Sequence, residues 1–109
     1  MEDIVIRSFK MKLKPGFEDI YKQRHDEIWE ELKVVLKEEA GILDYAIFFD
    51  RETNVLFAYQ KLLASHGKAN LSSNPIVKKW WDFMADCMEV NVDNSPRTSV
   101  LVNVFWLAQ

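Results

Sequence analysis

Apolar residues recur through Ile4, Ile6, Phe9, Met11 and Leu13 with one phase slip around Ser8, and the run stops at Pro15-Gly16, a strong breaker pair. The pattern predicts a first strand over Ile4 to Lys14 with a bulge at the slip. Phe17 to Glu39 then runs without Gly or Pro, is rich in Glu, Lys and Leu, and meets Gly41 as a stop. It reads as one long helix. Two β-branched and aromatic runs follow, Leu43 to Asp50 and Val55 to Leu63, separated by Arg51-Glu52-Thr53-Asn54, the length and composition of a hairpin loop. Ala64 to Ser73 is polar and mixed, a short helix or turn. Asn74-Pro75 opens a second helix, Ile76 to Met88, with Pro at its first position. Val92 to Pro96 is a loop, and Ser99 to Leu107 is a last strand.

The order βαββαβ is the split βαβ plan of a ferredoxin-like α+β domain. At 109 residues the chain forms a single domain, 1–109, with a core of its own. One sheet face takes the two helices. On the other, both alternating sets contain large apolar residues: Tyr45, Ile47 and Phe49 against Ala46 and Phe48, and Val100, Val102 and Val104 against Leu101 and Trp106. An antiparallel sheet with a wet face alternates more cleanly. The expected cover is a second subunit's sheet, giving a homodimer of the dimeric α+β barrel kind; an open aromatic ligand platform is the alternative.

Composition narrows the partners. The chain is 49% hydrophobic and 13% aromatic with four Trp, which excludes disorder and low complexity. A net charge of -3 without a basic run speaks against nucleic acid or an anionic membrane as partner. There is no leader pattern, lipidation motif or apolar stretch near the ~20 residues that span a membrane. The single Cys87 forms no internal disulfide and fits a reducing cytoplasm, the expected location.

Helical phase, at ~100° per residue, gathers Phe17, Tyr21, Ile28, Leu32, Val35 and Leu36 into one apolar arc and puts His25 inside it. Lys22, Asp26, Lys33 and Lys37 lie outside. The imidazole therefore points inward, one turn from the Tyr21 ring. It is either a structural histidine bonded to a carbonyl or the Tyr21 hydroxyl, or an acid/base group that titrates near neutral pH. Trp80 and Trp81 diverge by about one helical step; they are packing residues or an aromatic wall suited to the C–H face of a sugar. Tyr45 by default is a sheet aromatic, and Asp93-Asn94-Ser95-Pro96 a turn. His66 falls in the polar segment and is expected to be solvated. No Cys/His cluster has metal-ligand spacing, no Gly-rich loop suits phosphate, and no Ser/His/Asp nucleophile motif occurs. The expected chemistry uses no cofactor or metal.

Taken in order, Tyr21-Lys22-Gln23-Arg24-His25, Ile28-Trp29-x-Glu31-Leu32, Asp44-Tyr45-Ala46-Ile47, Trp80-Trp81-x-x-Met84 and Asp93-Asn94-Ser95-Pro96 resemble the L-rhamnose mutarotase family over nearly the whole chain. The resemblance implies a homodimeric barrel acting on a small sugar, L-rhamnose. His25 would be the catalytic acid, with Tyr21, Tyr45, Trp80 and Trp81 contacting the sugar and Asp93 and Asn94 on a site loop. Two departures stand out. The family often has prolines flanking its Ile-Trp pair, where this chain has Glu27 and Glu30, and often a tyrosine at Phe48. The rival expectations are a haem-degrading or quinone-type monooxygenase on the same barrel, and a non-catalytic sugar-binding module.

Overall fold

The computed structural model describes residues 3–66 and 71–107. Its elements run β1 (Ile4–Lys12), α1 (Glu18–Asp26), α2 (Glu30–Glu38), β2 (Ile42–Asp50), β3 (Val55–Leu63), α3 (Pro75–Met84) and β4 (Ser99–Val100). Single 3₁₀ turns at Ala64–His66 and Leu71–Ser73 lie before α3. The part of the expected short helix or turn that falls on residues 67–70 lies outside the described residues.

The sheet order is β2-β3-β1-β4, every neighbouring pair antiparallel, so the crossover through α1 and α2 puts β3 between β1 and β2. This is the expected ferredoxin-like α+β fold. The β2–β3 hairpin closes at Asp50, whose carboxylate accepts from Glu52 N and Thr53 Oγ1 at 3.0 and 2.9 Å, with Asn54 at φ 61°. Asn74 caps α3, its Oδ1 accepting from Ile76 N at 2.9 Å and Val77 N at 3.3 Å, and Pro75 takes the first helical position. No described helix is long and apolar enough to cross a membrane.

Three expectations are corrected. First, β1 carries no bulge: Ile4 through Lys12 pair with Leu63 through Val55 without a register shift. The phase slip marks a change of face. Phe9, Met11 and Leu13 belong to the helix side, where Met11 and Leu13 are buried, whereas Ile4 and Ile6 lie opposite Leu63 and Lys61 on the outer side and stay exposed. Second, the long helix is two helices. The chain leaves α1 at Glu27, and Trp29 takes φ -63°, ψ 136° before α2 begins. The break lets both Ile28 and Trp29 pack on the core. Third, the last strand pairs only through Ser99 and Val100. Val102, Val104, Phe105, Trp106 and Leu107 extend beyond it, exposed.

The core lies between sheet and helices in two parts. Met11, Leu13, Leu56, Ala58, Tyr21, Leu32, Val35, Val77, Trp80 and Met84 belong to the larger; Ala40, Ile42 and Leu62 form the smaller. Side chains such as Leu13 and Leu56, at 1% exposure, each contribute about 1.5–3 kcal/mol of apolar burial. Along β3, Gln60 interrupts the inward series between Ala58 and Leu62. Arg24 ties α1 to α3 through Asp86, at 2.7 Å, and through the Phe83 carbonyl, at 2.9 Å.

Two predictions follow from backbone geometry. Trp29 is already extended, as a residue before proline must be, and Glu30 occupies the first position of α2. Glu30→Pro is therefore expected to stabilise by up to about 0.4–1 kcal/mol, while Val34→Pro inside α2 costs about 3 kcal/mol or more; urea unfolding compares them. Gly16 and Gly41 both have positive φ, but only at Gly41 does an added Cβ meet a side chain, His66 at 2.7 Å. Both alanine variants should lose about 1–2 kcal/mol to the left-handed backbone, and Gly41→Ala about 1 kcal/mol more, read from the same unfolding curves.

Candidate active site

Where the polar row at Gln60 divides the core, a cavity of about 730 Å³ opens between the sheet and the helices. That volume lies in the range of small-molecule sites. Its floor is the helix-facing side of the sheet, with Arg7, Phe9, Tyr45, Ile47 and Gln60; one wall is α1, with Tyr21, Lys22, His25 and Asp26; the other is α3, with Val77, Trp80, Trp81 and Met84. Asn94, Ser95, Pro96 and Thr98 reach it from the loop before β4.

His25 sits half-buried at the centre of an aromatic cluster. Its ring lies 4.2 Å from that of Tyr21, tilted by 30°, and meets Trp80 edge-on at 5.4 Å. Trp80 in turn meets Trp29 edge-on at 5.1 Å and Phe83 at 5.8 Å, all within the spacing at which aromatic pairs attract. His25 Nδ1 lies 3.0 Å from the Tyr21 carbonyl. A carbonyl only accepts, so Nδ1 carries the proton and Nε2 is left for chemistry. Burial lowers the His25 pKa below its ordinary 6.5, against the opposing pull of that backbone hydrogen bond and of Asp26. At neutral pH the imidazole is uncharged, with a lone pair on Nε2.

Burial also pushes the Tyr21 phenol far above its ordinary range, with smaller contributions from Tyr45 and Cys87. Tyr45 is 40% exposed as a residue, yet burial at its phenol end raises its pKa too, opposed by the influence of Gln60 and by the charge of Arg7. Both phenols stay protonated. The rim carries a Lys22–Asp26 ion pair at 2.8 Å, so two residues outside the apolar arc still border the site.

Six of the seven residues singled out from the sequence come together here: Tyr21, His25, Tyr45, Trp80, Trp81 and Asn94. Asp93 shapes the loop instead. Its carboxylate accepts from Ser95 N at 3.0 Å and Ser95 Oγ at 2.5 Å, and its carbonyl accepts from Lys78 Nζ at 2.8 Å. Asn94, at φ 67°, donates to Asp82 Oδ1 at 3.0 Å and so moors the loop to α3. Arg7 and Gln60, which also line the cavity, were missed. A signal existed for Gln60, the one polar residue in the series Leu56, Ala58, Gln60, Leu62; none marked Arg7 apart from its place at the phase slip. His66 is half-buried against Gly41, with Nδ1 2.8 Å from Ser65 Oγ, rather than solvated. Among the described residues no three His, Cys, Asp or Glu side chains gather as metal donors would.

The family model for L-rhamnose mutarotase matches residues 7–107. An L-rhamnose mutarotase of Flavobacterium johnsoniae is 51% identical over 107 residues, covering 98% of this chain and 99% of its own. One of Formosa agariphila is 54% identical over 100 residues, covering 92% and 95%. A crystal structure of a Formosa agariphila L-rhamnose mutarotase matches with a TM-score of 0.86 at 51% identity, covering 95% of this chain and 99% of that one. A Bacteroides thetaiotaomicron structure described as an antibiotic biosynthesis monooxygenase matches at a TM-score of 0.58 and 15% identity, covering 94% and 91%, a likeness of fold alone. With the family pattern matched along nearly its whole length, the chain belongs to the L-rhamnose mutarotase family.

Proposed function

We propose that this isomerase interconverts the α and β anomers of L-rhamnose with His25 as its proton carrier, in a site walled by Trp80 and Trp81 and reached by the hydroxyls of Tyr21 and Tyr45. The observation that carries the reading is the His25 imidazole held by its Nδ1–H on the Tyr21 carbonyl, 3.0 Å away, inside an aromatic cavity. Mutarotation opens the ring, turns C1–C2 and closes it on the other face. A base takes the C1 hydroxyl proton, C1=O forms, and the C1–ring oxygen bond breaks with its electrons going to the oxygen, which is protonated.

Neutral His25 is ready for the first transfer at Nε2. The resemblance gives His25 as the catalytic acid; in this reading it accepts first, and the imidazolium so formed returns the proton when the ring closes. A tyrosine hydroxyl or a bound water supplies the second proton. Such acid/base help is worth about 10²- to 10⁴-fold, a modest requirement for a reaction that proceeds unaided in water. The apolar wall suits the C6 methyl of a 6-deoxy sugar.

The working form in this reading is a homodimer in a reducing cytoplasm. Support for the dimer comes from the outer sheet face, where Ile4, Ile6, Phe48 and Phe57 are exposed beside the unpaired apolar segment Val102 to Leu107. Cys87, fully buried with its thiol donating to the Met84 carbonyl at 3.1 Å, needs no disulfide partner.

Saturation-transfer NMR on L-rhamnose at pH 7 should show anomer exchange accelerated by the wild type, with the acceleration reduced about 10²-fold or more in His25→Ala. No acceleration, or an unaffected variant, refutes the assignment. Because burial depresses the His25 pKa and the neutral form is the base, the catalysed rate should hold through pH 7. It should fall only as pH drops below the ordinary imidazole value of 6.5. Sedimentation should find a dimer at micromolar concentration, dissociated by the pair Phe48→Asp and Trp106→Asp; a monomeric wild type would overturn that part of the reading.

A further inference from the structure

Arg7, Gln60 and Tyr45 stand opposite one another on β1, β3 and β2, with Gln60 the shared partner in both registers. All three line the cavity, and Gln60, at 6% exposure, is the one buried polar side chain among the described residues. A buried amide needs its hydrogen bonds. Arg7 provides two: its Nε and Nη2 both donate to Gln60 Oε1, at 3.1 and 3.0 Å. These occupy both acceptor positions of that oxygen and decide which way round the amide lies. The oxygen faces Arg7, and the nitrogen is turned to the other side of the row, where Tyr45 stands.

The amide N–H is thereby presented to Tyr45, the register neighbour of Gln60 on β2, where an N–H aimed at the phenol oxygen favours the ionised phenol against its burial. A phenol oxygen that accepts from an N–H keeps its own proton to give elsewhere. The guanidinium charge, relayed through one amide, strengthens that donor, as hydrogen-bond chains polarise one another.

We infer that Arg7 and Gln60 are positioning residues for the mutarotase reaction, fixing the Tyr45 hydroxyl as a one-way donor to the ring oxygen of the bound sugar. The inference rests on the function proposed above and names the source of the second proton. As the C1–ring oxygen bond breaks with its electron pair going to oxygen, that oxygen takes the Tyr45 proton, while the C1 hydroxyl proton goes to Nε2 of His25. Closure returns both. Arg7 and Gln60 make or break no covalent bond.

Gln60→Glu tests it by reversing the polarity of the row with little change in shape. A carboxylate accepts from Arg7 and from the Tyr45 hydroxyl alike, drawing the phenol proton away from the sugar. The kcat for anomer exchange should fall about 10-fold or more, with KM changed by less than about 3-fold. In a Tyr45→Phe background the same substitution should alter kcat by less than about 2-fold, because the hydroxyl it acts through is gone. Arg7→Met, which releases the amide to flip, should lower kcat in wild type and be similarly silent beside Tyr45→Phe. It carries the comparison if circular dichroism shows Gln60→Glu unfolded.

An undiminished kcat, or losses that multiply in the Tyr45→Phe background, overturn the inference and leave the function standing. A wild type that does not accelerate exchange overturns both.

Discussion

The edge-on contact between the Trp80 indole and the His25 ring, at 5.4 Å, is the contact on which the site depends. Trp80 rides on α3, whose start is set by the Asn74 cap, and it is 9% exposed. The same indole takes the Trp29 ring edge-on at 5.1 Å. One ring thus packs against both the catalytic candidate on α1 and the connection that separates α1 from α2. If the two helices ran on as one, Trp29 would lie at the rim of the apolar arc. The break at Glu27 to Trp29 brings it in, and the Arg24 bridge to Asp86 ties α1 to the C-terminal end of α3. Aromatic packing contributes the apolar burial, and the ion pair links the two walls at 2.7 Å.

Much of the fold was legible because it depends on local signals. The hairpin loop at Arg51 to Asn54, the Asn74-Pro75 helix start and the positive-φ stop at Gly41 each follow from chemistry within a few residues. What escaped was set by distant partners. No Gly or Pro announces the helix break, since Glu27 and Glu30 are ordinary helix residues; Trp29 finds its place only against α3. The last strand shows the same limit. Ser99 to Leu107 has strand composition throughout, but β1 pairs only with its first two residues.

The site was legible as a set of residue types and much less so as a network. His25 and Tyr21 followed from helical phase within α1, and the tryptophans from their pairing. Asp93 was chosen with Asn94 as part of a motif, yet its carboxylate is occupied in holding Ser95. Arg7 and Gln60 lie 53 positions apart, and only the β1–β3 register brings them together. The phase slip around Ser8 had a different meaning from the one read into it. At that point the helix-facing side turns from apolar to charged, with Arg7 beside Phe9 on the cavity floor, while the outer side becomes apolar, with Ile4 and Ile6. A single irregularity in β1 therefore marks both the pocket and the outer apolar patch.

The bond from His25 Nδ1 to the Tyr21 carbonyl has a kinetic consequence. In many proton-transferring sites a carboxylate orients the imidazole and stabilises its charged form. Here the orienting group is a neutral carbonyl one turn earlier in the same helix, and burial works against the charge. The ring is aimed without a deep well for the proton, so an imidazolium formed in the pocket gives its proton back readily. That suits an exchange whose two directions differ by the placement of a single hydroxyl: a tighter hold on the proton would speed opening at the expense of closure.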